Sequence, residues 1–318
     1  MAKVAVTGGA GFIGSNLTNH LILRGHEVIV VDDLSTGLQR NINNEALSFH
    51  KFSITELDKL RQAIGDCQTI FHLAARGSVP RSVANPTATH EVNVTGTLNV
   101  LEIARETKAH VIFSSSSSVY GRNTDLPKDE TMWLSPMSPY AASKLAGEAY
   151  VQAYAASYDM KCTILRLFNV FGPLQRPEHQ YAAVLPKWIW RAMQGKSIEV
   201  YGDGTHSRDF TYIETVVNVA IAAMEKKITS EGAINLAYGN RITLNSILDL
   251  LLGLFPDLHV EYKSERKGDV KESQNSPNLL NKLFPELVPI DFEHAFYETV
   301  SWLKEYAKCI LDDTNVGD

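Results

Sequence analysis

The chain has 318 residues, of which 44% are hydrophobic and 21% charged, and its formal net charge is −6. That length suits two lobes better than one ordinary core. The composition excludes disordered and fibrous classes, and the acidic balance argues against nucleic-acid binding, which needs a basic face. Cys67, Cys162 and Cys309 are far apart and odd in number, with no CxxC pair and no Cys/His cluster at ligand spacing. Neither a disulfide framework nor a metal site is expected. The N-terminus MAKVAVTGG lacks the pattern of a signal peptide, and no run of about 20 apolar residues occurs. The expectation is a cytoplasmic protein with no membrane span.

Short apolar runs alternate with longer amphipathic ones through the first half. Val4–Thr7 predicts a buried strand, and the pattern Ile13–Arg24 predicts a helix. Between them Gly8, Gly11 and Gly14 form a GxxGxxG loop in the order strand, loop, helix. Glycines permit a tight turn and close approach of backbone to a pyrophosphate, which the free N–H groups of the helix then stabilise. Glu27–Val31 predicts a second strand, and Asp32 ends it. A carboxylate there accepts from both adenosine ribose hydroxyls and repels a 2′-phosphate, which selects NAD over NADP.

Strands are further predicted at Thr69–Leu73, Val111–Ser114 and Cys162–Leu167, and helices at His90–Thr107 and Ala141–Ser157. This alternation predicts an α/β fold, a Rossmann-type doubly wound parallel sheet. After Asn169 the pattern changes. Gly172–Gln180 reads as a loop, Val184–Gln194 as a helix, Gly202–Gly204 as a turn, and Asn245–Leu254 and Phe292–Lys308 as later helices, with a polar tail at Leu311–Asp318. Residues 1–169 with about 208–232 are expected to form the NAD-binding domain. About 170–207 and 233–318 are expected to form a smaller mixed α/β substrate lobe.

Tyr140 and Lys144 form a YxxxK pair on one face of a predicted helix. A free tyrosine, with a pKa of about 10, is a poor base at neutral pH. A nearby ammonium and a positive nicotinamide both favour the phenolate. Tyr140 then removes a proton from a hydroxyl while hydride leaves the same carbon. Ser116, just past the strand Val111–Ser114, offers a hydroxyl to the reacting oxygen.

TGGAGFIG (Thr7–Gly14), HLAA (His72–Ala75), SSSVYG (Ser116–Gly121), SPYAASK (Ser138–Lys144) and SRDFTYI (Ser207–Ile213) resemble the extended short-chain dehydrogenase/reductases, the NAD-dependent sugar epimerase/dehydratase family. The resemblance covers nearly the whole chain. It implies a Rossmann lobe with tightly held NAD, a C-terminal lobe gripping a nucleoside diphosphate sugar, and a homodimer. It places Phe12, Ile13, Ser35, Gly37, Leu73, Ala74, Ala75, Asn93 and Ser114 beside the cofactor, with Ser53 and Ile54 bordering the adenine. The family usually has an acidic residue where this chain has Ser53.

Dehydratases of the family are similar to one another in a Thr-Asp-Glu after the serine strand, and the decarboxylases in a Glu. Here Ser116, Ser117 and Ser118 offer no carboxylate, so oxidation followed by re-reduction is expected rather than elimination. GSVPRS (Gly77–Ser82), FNVFG (Phe168–Gly172), Gln175 and YAAVLPKW (Tyr181–Trp188) are most similar to the 4-epimerases of UDP-N-acetylglucosamine. That similarity implies that Gly77, Ser78 and Gln175 flank the C2 substituent. It also implies that Asn169, Arg208, Arg266 and Asp269, with Ala183, Val184 and Tyr201, hold the UDP moiety. Counted from Asp269, Ser273 falls where the family closes the sugar pocket, and where epimerases of plain hexoses carry a tyrosine. The alternatives are a dehydratase or decarboxylase on the same scaffold, or a non-catalytic NAD-binding protein, against which the intact Ser116, Tyr140 and Lys144 argue.

Overall fold

A computed structural model describes residues 1–42, 45–178, 182–265 and 271–315, with side chains as far as Cys309. The Rossmann half runs β1 (Lys3–Thr7), α1 (Phe12–Leu23), β2 (Glu27–Val31), β3 (Leu47–His50), α2 (Leu57–Ile64), β4 (Thr69–His72), α3 (Val79–Ala84), α4 (Pro86–His90), α5 (Gly96–Thr107), β5 (His110–Ser116), α6 (Pro139–Tyr158) and β6 (Cys162–Leu167). It continues with β7 (Val170–Phe171), α7 (Val184–Met193), β8 (Ile198–Tyr201), β9 (Ser207–Arg208), β10 (Thr211–Tyr212), α8 (Ile213–Glu225) and β11 (Ala233–Leu236). The last elements are β12 (Ile242–Thr243), α9 (Leu244–Leu254), β13 (Val260–Lys263), α10 (Asn278–Leu283) and α11 (Phe292–Asn315).

Seven strands form one parallel sheet in the order β11-β6-β5-β4-β1-β2-β3. Parallel strands covered on both faces are apolar at every position rather than at alternate ones. In β1, Val4 and Val6 enter the core beneath α1 and α8, while Ala5 enters the opposite one beneath α2 and α5. Helix α6 lies close on the sheet because Gly147 has no side chain. A Cβ there would meet the Phe113 ring at 2.5 Å.

Three features differ from the sequence expectation. β3 and α2 were not expected. The predicted helix His90–Thr107 is α4, a π-turn at Glu91–Thr95 and α5, with Asn85 capping the start through Ala88 N–H at 3.0 Å. The expected boundary near 233 falls one strand early, because β11 pairs with β6 at the edge of the central sheet. Its run AINL is fully buried but only four residues long, and the buried Asn235 interrupts it. The remaining strands make two-stranded pairs, β10 with β7, β12 with β9 and β13 with β8, beside α7, α9, α10 and α11. No helix of the described residues is long and apolar enough to cross a membrane.

Candidate active site

The glycine loop is built as the spacing requires. Gly8 has φ +72, and a Cβ on it would stand 2.7 Å from the Ala74 nitrogen. Gly8 N–H donates to Val31 O at 2.8 Å, and Gly11 N–H to Gly8 O at 3.1 Å. Gly11 is the N-cap of α1, and no side chain of the described residues caps that terminus. The amides of the first turn therefore face a cavity of about 360 Å3. Gly8, Gly11, Phe12, Ile13, Gly14, Asp32, Ser35, Ser53, Ile54, Leu73, Ala74, Ala75 and Ser114 line it, and so do Gly77, Gln175 and Ala183.

Asp32 is 8% exposed, and it accepts from Ala10 N–H at 3.0 Å and Leu34 N–H at 2.8 Å. Burial raises its carboxyl above the ordinary value, and these backbone donors work against that rise. The group thus pins the glycine loop while its remaining acceptor capacity faces the cavity. A 2′-phosphate beside this carboxylate would place like charges together, which costs several kcal/mol. NAD should bind the apo-protein at least about a hundredfold more tightly than NADP. Fluorescence titration with both cofactors measures the ratio, and equal affinity would contradict this role for Asp32.

Several expected residues sit elsewhere. Gly37 packs on Ala10, where a Cβ would meet Ala10 atoms at 2.8–2.9 Å, so it shapes the loop from behind. Asn93, 2% exposed, is a tether: Arg76 N–H donates to its Oδ1 at 2.7 Å, and its Nδ2 donates to Ser143 Oγ at 2.9 Å. Ser143 Oγ in turn donates to Tyr140 O at 2.7 Å. Ser78 caps α3 by accepting from Arg81 N–H at 3.3 Å.

Helix α6 begins at Pro139 with Ser138 as its cap, and although Ser116, Tyr140 and Lys144 are not among the residues lining the glycine-loop cavity, Lys144 bonds to Ser114, which is. Tyr140 N–H donates to Ser82 Oγ at 3.0 Å. Lys144, 5% exposed, donates to Ser114 O at 2.7 Å and lies over the Phe113 ring. Burial pushes its ammonium down to about 8, and the Glu148 charge opposes that. Burial also lifts the Tyr140 phenol above its ordinary value, while a hydrogen bond from Ser116 lowers it. Ser116 Oγ accepts from Ser118 Oγ at 2.9 Å and from Ser118 N–H at 3.2 Å. Its own proton is therefore left for Tyr140. The phenolate form of Tyr140, accepting from Ser116, can take a proton from a hydroxyl.

A second cavity, of about 230 Å3, meets the first at Ala182. Val184, Tyr201 and Arg208 line it, with Lys187, Trp188, Arg191 and the buried His206. Asn169 has φ +36, and its Nδ2 donates to Asp209 O at 3.0 Å. Ser273 N–H donates to Ser207 O at 3.1 Å, which sets it beside Arg208 but outside the lining of both cavities. Arg266 and Asp269 lie outside the described residues. Sequence reading missed Arg76, Arg81 and Arg176, which line the first cavity, because isolated arginines carry no spacing signal. It also missed His72, which spans the core. Thr97 donates to Asn93 O at 2.6 Å, so His72 Nε2–H donates to Thr97 at 2.9 Å and its Nδ1 accepts from Thr7 at 2.8 Å. Burial pushes His72 down to about 3, consistent with that neutral form.

A glycine loop at a helix N-terminus, an acid ending β2 and a Tyr–Lys pair on α6 define a dinucleotide-dependent enzyme of Rossmann type. The chain belongs to the NAD dependent epimerase/dehydratase family, whose model matches residues 4–237, and its cofactor is NAD. It is similar to the UDP-N-acetylglucosamine 4-epimerase of Methanobrevibacter ruminantium M1, solved in complex with UDP-N-acetylmuramic acid. The two are 38% identical with a TM-score of 0.90, covering 96% of this chain and 99% of that one. A UDP-glucose 4-epimerase of Mycolicibacterium smegmatis is 38% identical over 229 residues, 70% of this chain and 72% of that protein. UDP-glucuronic acid decarboxylase 1 of Danio rerio is 32% identical over 273 residues, 84% of this chain and 64% of that protein. Among the described residues, no group of three His, Cys, Asp or Glu is placed to hold a metal ion.

Proposed function

We propose that this protein is a 4-epimerase interconverting UDP-GlcNAc and UDP-GalNAc, acting also on UDP-Glc and UDP-Gal. The observation that carries the reading is the end of β5, where Ser116 closes the strand and Ser117 and Ser118 follow it, with no carboxylate among the three, beside Tyr140. Eliminating water from a sugar needs an added acid and base, and inversion at C4 does not. Tyr140 Oη, as the phenolate, takes the proton of the sugar 4-hydroxyl, Ser116 turns its own proton from Tyr140 to that oxygen, and Lys144 would hold the nicotinamide ribose while its charge favours the phenolate. NAD, when bound, supplies a reversible hydride store, so C4 is oxidised and reduced within one turnover without an external redox partner. Gln175 and the Gly77–Ser78 turn border the C2 substituent. Among the described residues Gln175 Oε1 is buried without a partner while its Nε2 donates to Val170 O at 3.2 Å, which leaves an acceptor for an acetamide N–H. The second cavity, with Tyr201 and Arg208, takes the UDP moiety, and guanidinium forks suit diphosphate oxygens. The same proposal includes a homodimer, with Tyr150 and Tyr158 exposed along α6.

Incubating the purified protein with UDP-GlcNAc, UDP-Glc and their C4 epimers, and separating products by anion exchange, tests the reading. Interconversion within each pair is expected. A 4-keto-6-deoxy or decarboxylated product would replace the reading with one of the family's other reactions. Ser273 stands beside Arg208, outside the lining of both cavities, and its small side chain adds no bulk at the edge of the proposed sugar pocket. A tyrosine there would overpack it, at about 1–3 kcal/mol, or about a 5- to 150-fold loss. Ser273→Tyr should depress kcat/KM for UDP-GlcNAc by that factor and spare UDP-Glc. Unchanged activity on the acetylated sugar would reject this pocket assignment.

A further inference from the structure

Behind the reacting residues lies a buried ion pair that reaches neither cavity. Glu148 is 2% exposed and stands one helical turn beyond Lys144 on α6, on the same face. Arg166, 4% exposed on β6, grips it with both ends of its fork, Nε to Oε1 at 2.9 Å and Nη2 to Oε2 at 2.8 Å. Ser115 Oγ donates to the same carboxylate. Arg166 Nη1 also donates to Tyr120 Oη at 3.0 Å, and that hydroxyl donates to Asn235 Oδ1 of β11 at 2.8 Å. A buried pair of this kind adds little net stability over a well-packed apolar replacement. Its location suggests another use. Ser115 stands between Ser114, whose carbonyl holds Lys144, and Ser116, which is bonded to Tyr140.

We propose that Glu148, held by Arg166, is a positioning residue that fixes the end of β5 through Ser115 and sets a buried negative charge beside Lys144. The proposal rests on the reading of Tyr140 and Lys144 as the reacting pair. The other titratable or charged groups packed around this cluster are His72 from β4, Arg166 from β6, Tyr140 on α6 itself, and Tyr120, Lys128 and Glu130 after β5. His72 is neutral, and against the burial that pushes Lys144 down it is Glu148 that pulls it back up. A lysine loses its proton as pH rises through its pKa. Removing the Glu148 charge therefore moves that loss to lower pH, and the support for the Tyr140 phenolate goes with it.

The test is the 13Cε shift of Lys144 in the NAD-loaded protein, assigned by its disappearance in Lys144→Arg and followed against pH. Glu148→Gln should lower the midpoint by about one pH unit, the effect of losing an opposite charge at close range. The alkaline limb of the kcat profile should move down with it, and Glu148→Asp should bring both back toward wild type. Should Glu148→Gln fail to fold, the double variant Glu148→Gln/Arg166→Gln leaves no buried charge alone, and its midpoint should fall in the same direction by less. A lower Tm with an unmoved lysine midpoint in whichever of these folds would overturn the proposal and leave the pair a structural feature. The lysine titration needs no turnover, so its failure leaves the epimerase reading standing, and absence of epimerisation leaves the titration result standing.

Discussion

Tyr140→Phe should lower kcat for every UDP-sugar by about 10²- to 10⁴-fold, the range a positioned general base contributes. The substitution removes one oxygen and little else. The backbone of residue 140 stays anchored by its N–H on Ser82 and by the Ser138 cap, so α6 keeps its place. Nucleotide-sugar affinity, measured by calorimetry on the NAD-loaded protein, should change by less than about threefold, because the lost interaction belongs to the transition state rather than the ground state. Turnover within tenfold of wild type would remove Tyr140 from the reaction. A weakened Kd with intact kcat would make it a binding residue instead. Burial alone pushes the phenol away from the ionised state. Lys144, Ser116 and the positive ring of bound NAD must together reverse that. Lys144→Met should accordingly cost activity even where NAD remains bound.

Gly14→Ala should abolish NAD retention. A Cβ at this position would stand 2.1 Å from Gly8 O and 2.7 Å from Gly9 Cα, and both neighbours are backbone of the phosphate loop. Neither can swing aside as a side chain would, so α1 must move off the loop. Overpacking of this kind costs about 1–3 kcal/mol of stability. It also withdraws the helix N-terminus from the diphosphate. The purified variant should carry no NAD by absorbance and chromatography, and its NAD affinity should fall at least about a hundredfold. Gly253→Ala on α9 is the control. Nothing lies within 4 Å of its added Cβ, and alanine is favoured over glycine in a helix by about 0.5–1 kcal/mol. It should leave NAD binding and activity unchanged. Gly14→Ala protein that still copurifies with NAD would mean the loop is held less closely than this geometry states.

The chain's local features were legible as sequence because each is decided by neighbours a few residues apart. The glycine loop between Thr7 and Phe12 follows from backbone sterics. Asp32 follows a strand, Glu27–Val31, whose last four residues are an uninterrupted apolar run. Tyr140 and Lys144 share a face through helical spacing alone. What sheet order brings together was not legible. β11 joins β6 across residues 167–233, and four buried residues with an Asn among them give no sign of that partner. The chain Thr7–His72–Thr97–Asn93–Ser143 ties five segments across the core, and Arg166 finds Glu148 from the neighbouring strand. Each of these residues has an ordinary reading alone, a core histidine, a helix asparagine, a surface acid. Short-range geometry dictates the glycine loop, the acid that ends β2 and the shared face of Tyr140 and Lys144, so the order of residues alone carries them. The tertiary structure decided which polar groups stand behind that pair, because a buried charge must be matched by whatever the adjacent strand presents.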